Sequence, residues 1–143
     1  MSFLLDVNVL IALVDGAHIN HDAAHAWLRP GVRWCTCPLT QNAFVRILSQ
    51  PAYPTVDATV PEVLAALRAL VNHPDHRPIT DDVSLVDDTL FDPRFITTSR
   101  QVTDVYLMGL AFRHELRLAT FDRRLAPDAI RGAGPDLCEQ IPA

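Results

Sequence analysis

The chain has 143 residues, 49% of them hydrophobic and 20% charged, with a net charge of −5 at pH 7. That length suits one domain, residues 1–143, with a core that needs neither disulfide nor metal, and no apolar stretch reaches the ~20 residues of a membrane span. An acidic balance excludes broad electrostatic binding of nucleic acid but leaves room for a local patch, and all 12 basic residues are arginine, which grips phosphate bidentately. A bias in genome composition accounts for the missing lysine equally well.

Phe3-Leu4-Leu5 is too short for a helix and reads as a buried strand. Val9, Leu10 and Leu13 then fit one side of a short helix. Asp6 thus stands where a strand ends and a helix begins, the place where open α/β sheets bind ligands. A charge there needs a partner such as a metal, or it caps the helix. No basic stretch precedes this apolar run, so it is not a signal peptide and the expected location is cytoplasmic.

His21 to Leu28 read as a second helix closed by Pro30-Gly31. His21 and His25 are spaced to share a metal, but no third ligand is near and capping is the better expectation. Val32 to Cys37 form a second strand; Cys35, Cys37 and Cys138 match no zinc spacing and read as buried free thiols. Pro38 opens a helix running to Gln50, with Asn42, Arg46 and Ser49 sharing its polar side. Thr59 and Glu62 make a capping box for an amphipathic helix through Val71. A short strand is expected at Pro78-Ile79-Thr80, then a short helix carrying Asp87 and Asp88, with Asp81 and Asp82 as solvated caps.

Thr98 to Glu115 form a helix that is apolar nearly all round from Val105 to Phe112 and so is buried. Gly109 inside it marks a close packing contact, and Asp104 lies in its first turn, where the macrodipole favours an anion. Leu116 to Phe121 is another strand, and Asp122 repeats the Asp6 arrangement, with a helix start expected at Arg123 to Ala126. Leu137 to Ile141 is a last strand. Strands alternating with helices call for a doubly wound parallel sheet.

If the first and fourth strands are neighbours, Asp6 and Asp122 meet at one sheet edge, and Asp104 makes a third carboxylate. Clustered carboxylates repel unless cations intervene. Hard oxygen donors suit Mg²⁺ or Mn²⁺, and the chemistry that follows is metal-assisted phosphodiester cleavage.

Four pieces, Leu4-Leu5-Asp6-Val7-Asn8-Val9-Leu10, Thr40-Gln41-Asn42-Ala43-Phe44-Val45-Arg46, Thr103-Asp104-Val105-Tyr106-Leu107 and Ala119-Thr120-Phe121-Asp122, stand in an order and spacing that resemble the PIN-domain ribonucleases, specifically VapC-type toxins of toxin–antitoxin pairs. The resemblance implies a three-layer α/β/α sandwich with a central parallel sheet and an Mg²⁺-dependent endoribonuclease acting on tRNA or another structured RNA. It also implies inhibition by a small cognate antitoxin, and a homodimer. By position, Asp6, Asp104 and Asp122 are the metal-binding acids, Thr120 orients a water or phosphate, and Asn8 supports Asp6. Asn42 departs from the pattern, since many members carry Glu there; its amide oxygen is a weaker ligand. Arg46, Arg123 and Arg124 are the candidates for gripping the RNA backbone.

Other classes fit less well. A PIN-like module that binds RNA or a protein without cutting draws its support from Asn42. A phospho-acceptor receiver domain needs a lysine this chain lacks. A dehalogenase-type phosphatase wants an acid where Asn8 stands.

Overall fold

In the computed structural model, which describes residues 1–143, five strands form one all-parallel sheet: β1 (Ser2–Leu5), β2 (Arg33–Thr36), β3 (His76–Pro78), β4 (Arg117–Thr120) and β5 (Cys138–Gln140). Their order is β3-β2-β1-β4-β5, with Leu4 paired to Cys35 on one side and to Leu118 on the other. The chain winds outward from β1 in one direction and then, from β4, in the other. The carboxyl ends of β1 and β4 are therefore the topological switch point of the sheet.

Side-chain alternation along these strands divides the core in two. Leu4, Cys35 and Leu118 face one layer, where they pack with helix α5 (Val102–Arg113). Leu5, Trp34 and Ala119 face the other, against α1 (Val7–Val14), α3 (Pro38–Leu48) and α4 (Val60–Val71). Helix α2 (His21–Trp27) packs on α1. This is the expected α/β/α sandwich.

Local expectations mostly hold. Thr59 and Glu62 cap α4 reciprocally, the Glu62 N–H reaching Thr59 Oγ1 at 3.3 Å and the Thr59 N–H reaching Glu62 Oε1 at 3.1 Å. His21 and His25 take the capping role: their ring nitrogens stand 2.7 and 2.8 Å from the Ala12 and Leu13 carbonyls and satisfy the open end of α1. Gly109 is required by its neighbour, since a Cβ built there falls 2.3 Å from Cζ of Phe91.

Two expectations fail. Residues 80–90 form turns rather than a helix, and the edge strand lies at His76–Pro78. The acids there bond backbone donors instead: Asp87 takes the Thr89 N–H two residues on at 2.9 Å, and Asp81 reaches across the fold to accept the Leu39 N–H at the start of α3 at 3.0 Å. Arg123 to Ala126 is likewise no helix. Asp122 folds back to accept the Arg124 N–H at 2.9 Å, and Pro127 leaves no room for a first helical turn.

Candidate active site

Asp6 follows β1 and is 5% exposed. Its N–H bonds the Ala119 carbonyl at 3.0 Å, which extends the β1–β4 pairing by one residue and fixes the carboxylate at the switch point. As N-cap of α1 it accepts the Val7 N–H at 2.7 Å through Oδ1. Its other oxygen accepts the Thr120 hydroxyl at 2.8 Å. Thr120 Oγ1 in turn accepts the Asp122 N–H at 3.0 Å and the Asn8 amide at 3.5 Å. One buried hydroxyl thus ties the ends of β1 and β4 together and sets the two acids relative to each other.

Asp104 comes from the other direction, in the first turn of α5, and lines one cleft of about 620 Å³ together with Asp122 and Arg124. The carboxylates sense one another. Burial, then the charges of Asp6 and Asp122, push Asp104 up to about 6, with Arg124 opposing. Burial also raises Asp6 against the pull of Thr120 and Val7. Asp122 is held low by Arg124, whose Nε stands 3.1 Å away.

The donor set matches a hard divalent cation. It is all oxygen, and Asn8 Oδ1 is buried without any hydrogen-bond partner. No three Asp, Glu, His or Cys side chains stand close enough together to form a metal-binding group by themselves. Mg²⁺ asks for no all-protein cage, since it takes one or two carboxylates and keeps several waters.

The structure brings together Asp6, Asn8, Asp104, Thr120, Asp122 and Arg124. Asn42, Arg46 and Arg123 are exposed and, like Asp6, Asn8 and Thr120, do not line the cleft that Asp104 and Asp122 share; unlike those three, they have no part in the hydrogen bonds that join the acids through Thr120. Two features escaped the sequence. Cys138 on β5 lies close enough to the acids that burial, then Asp6 and Asp104, push its thiol up to about 11. Arg94, Phe95 and Arg100 line the cleft beside Asp104. Arg94 and Phe95 follow a turn signal and Arg100 opens the expected helix, and nothing in either run says that they meet Asp104, so only a folded chain reveals them.

The PIN domain profile matches residues 3–127. Ribonuclease VapC44 of Mycobacterium tuberculosis is 39% identical over 135 residues, covering 93% of this chain and 94% of that protein. Ribonuclease VapC38 of the same species is 45% identical over 126 residues, covering 83% and 84%. Among solved structures, the M. tuberculosis sarcin–ricin-loop-cleaving toxin VapC20 aligns with a TM-score of 0.58 at 10% identity over 83% of this chain and 87% of that one. VapBC2 of Rickettsia felis, bound to a fragment of its promoter DNA, aligns with a TM-score of 0.54 at 10% identity over 85% and 89%. The chain belongs to the PIN-domain family, in its VapC ribonuclease group.

Proposed function

We propose that this protein is an Mg²⁺-dependent endoribonuclease that hydrolyses a phosphodiester bond in tRNA or another structured RNA, as the toxin of a pair whose small antitoxin restrains it. The observation that carries the reading is the string Asp6–Thr120–Asp122 at the switch point, with Asp104 converging on it from α5. Nothing in the chain neutralises this cluster fully. Arg124 engages Asp122 alone.

Asp6, Asp104 and Asp122 would hold the ion, with Asn8 Oδ1 facing it or a water on it. When bound, such an ion supplies Lewis-acid stabilisation of phosphate charge and lowers the pKa of a water. The chain's own part is positioning. Thr120 donates to Asp6 and so keeps an Oδ2 lone pair directed, while Asn8 steadies Thr120. Asp104, raised to about 6 by burial and by the charges of Asp6 and Asp122, would be held in its charged form by a bound cation. Arg46 and Arg123 are exposed and serve as outer contacts to the RNA backbone, while Asn42 on α3 holds the place where many members carry Glu.

A second reading, RNA binding without cleavage, is favoured by Asn42 in place of an acid and by Arg124 sitting on Asp122. Incubating total cellular RNA with purified protein in Mg²⁺, Mn²⁺ or EDTA separates the two. Discrete fragments that require metal and vanish in the Asp6→Asn/Asp104→Asn variant establish the nuclease. RNA that is bound yet left intact under each metal, and cut once Asn42→Glu is introduced, establishes the silent module.

A further inference from the structure

The cleft holding Asp104 and Asp122 has a second wall that metal-assisted cleavage does not use, formed by residues 94–101. Phe95 stands in it at 46% exposure. Scattered exposed apolar side chains are ordinary on any surface, and Ile19 and Val86 are such cases on this one. Phe95 differs because it is inside a concavity, and three guanidinium groups, those of Arg94, Arg100 and Arg124, line the same space.

The turn that carries the ring is held in place. Asp92, 4% exposed, receives both Arg94 Nε at 3.0 Å and Nη2 at 2.7 Å, and its own N–H is anchored on the Ala129 carbonyl at 2.8 Å. The Phe95 N–H closes the turn on the Asp92 carbonyl at 3.2 Å. The Arg94 guanidinium carbon lies 5.8 Å from the Phe95 ring centroid while its side chain stays 77% exposed. Arg100 is exposed and engages no carboxylate. A fixed aromatic face flanked by cations that still have donors to offer is the arrangement that takes a base and its phosphate together.

We propose that this wall is a nucleobase subsite: a base next to the scissile phosphate stacks on Phe95, and its phosphate pairs with Arg100 and Arg94. The inference rests on the endoribonuclease reading of the neighbouring acids. It makes single-stranded RNA the substrate form, because a base inside a duplex has both faces already stacked. The wall therefore selects loops.

The test is fluorescence anisotropy of short labelled oligo(A) and oligo(U) on the Asp6→Asn protein in EDTA, so that binding is read without cleavage. Phe95→Ala weakens binding by about 5- to 150-fold, the range of one lost base–aromatic stack, and Phe95→Trp restores it. An abasic nucleotide opposite the ring costs the parent the same factor and costs Phe95→Ala nothing further. Unchanged RNA binding in Phe95→Ala overturns the subsite and leaves the ring to a protein partner. An equal loss on duplex RNA also overturns it. Wild-type protein that cuts RNA while Phe95→Ala binds normally defeats the subsite alone. A Phe95-dependent loss in a protein that never cuts defeats the nuclease reading and upholds the subsite.

Discussion

Thr120 is the residue on which the site's geometry turns. It is fully buried, and its single hydroxyl serves Asp6, Asp122 and Asn8. Thr120→Val keeps the shape but leaves the Asp122 N–H unpaired and removes a donor from Asp6. The expected loss of about 1–3 kcal/mol is read by chemical denaturation, together with a fall in cleavage rate. Asp104 titrates from 3.8 unfolded to about 6 folded, so its stabilising effect is complete below pH 3.8 and is lost as pH rises through about 6. Asp104→Asn therefore stabilises the metal-free protein at neutral pH, by about 1 kcal/mol once solvent screening of a half-buried carboxyl is allowed for. Thermal melts in EDTA on either side of that pH check it: the variant's advantage must shrink in acid. Asp15 carries the opposite sign. Burial raises it, but hydrogen bonds from Thr55, Tyr53 and Ala17 together outweigh burial and leave it lowered, so its contribution is present above pH 3.8 and lost below.

At the scale of elements, α5 both supplies Asp104 and supports the cleft wall. Gly109 admits the ring of Phe91, which is 1% exposed, and Phe91 leads directly into Asp92 and Phe95. Gly109→Ala gains up to about 1 kcal/mol of helix propensity. It loses more to overpacking, about 1–3 kcal/mol, because the ring is enclosed. The net effect is a lower melting temperature, recovered in Gly109→Ala/Phe91→Leu. Helix α5 is closed by His114 and Glu115, and the Glu115 φ of 58° places a side chain in the left-handed region. The Leu116 N–H reaches the Ala111 carbonyl at 2.8 Å and the Glu115 N–H reaches that of Phe112 at 3.1 Å, a Schellman closure normally given to glycine. Glu115→Gly is expected to stabilise by about 1 kcal/mol, by relief of this strain, in the same denaturation assay.

For the molecule as a whole, a net charge of −5 must coexist with RNA binding. The cleft resolves this locally, since arginines rim the space that the carboxylates occupy. With phosphate contacts confined to the three arginines of the cleft, the salt dependence of RNA binding is expected to be shallow, and Arg100→Gln to reduce the slope of log K against log salt by about 0.7 in a salt titration. In the proposed nuclease, divalent metal and folding are linked through Asp6, Asp104 and Asp122, and thermal melts with and without the ion read the linkage. At about 100-fold its dissociation constant Mn²⁺ stabilises the protein by about 2.7 kcal/mol, and Asp6→Asn/Asp104→Asn loses that shift. No helix of the chain is long and apolar enough to cross a membrane.

The sequence by itself determined the sheet, its helices and three of the acids, because each is signalled locally. Short apolar runs, a buried apolar helix and a carboxylate at a strand end are statements about neighbours along the chain. It misjudged residues 80–90 and 123–126, where Asp side chains compete with the helix for backbone donors and the outcome depends on a few hydrogen bonds. Only the tertiary structure decided that β1 and β4 are adjacent, which turns two separate strand-end acids into one site. Likewise, nothing near Phe95 in sequence says that it faces Asp104, since their meeting depends on Phe91 seating against Gly109 and on Asp92 folding the turn. Long-range contacts of that kind are fixed by packing, and packing is not written in any local run of residues.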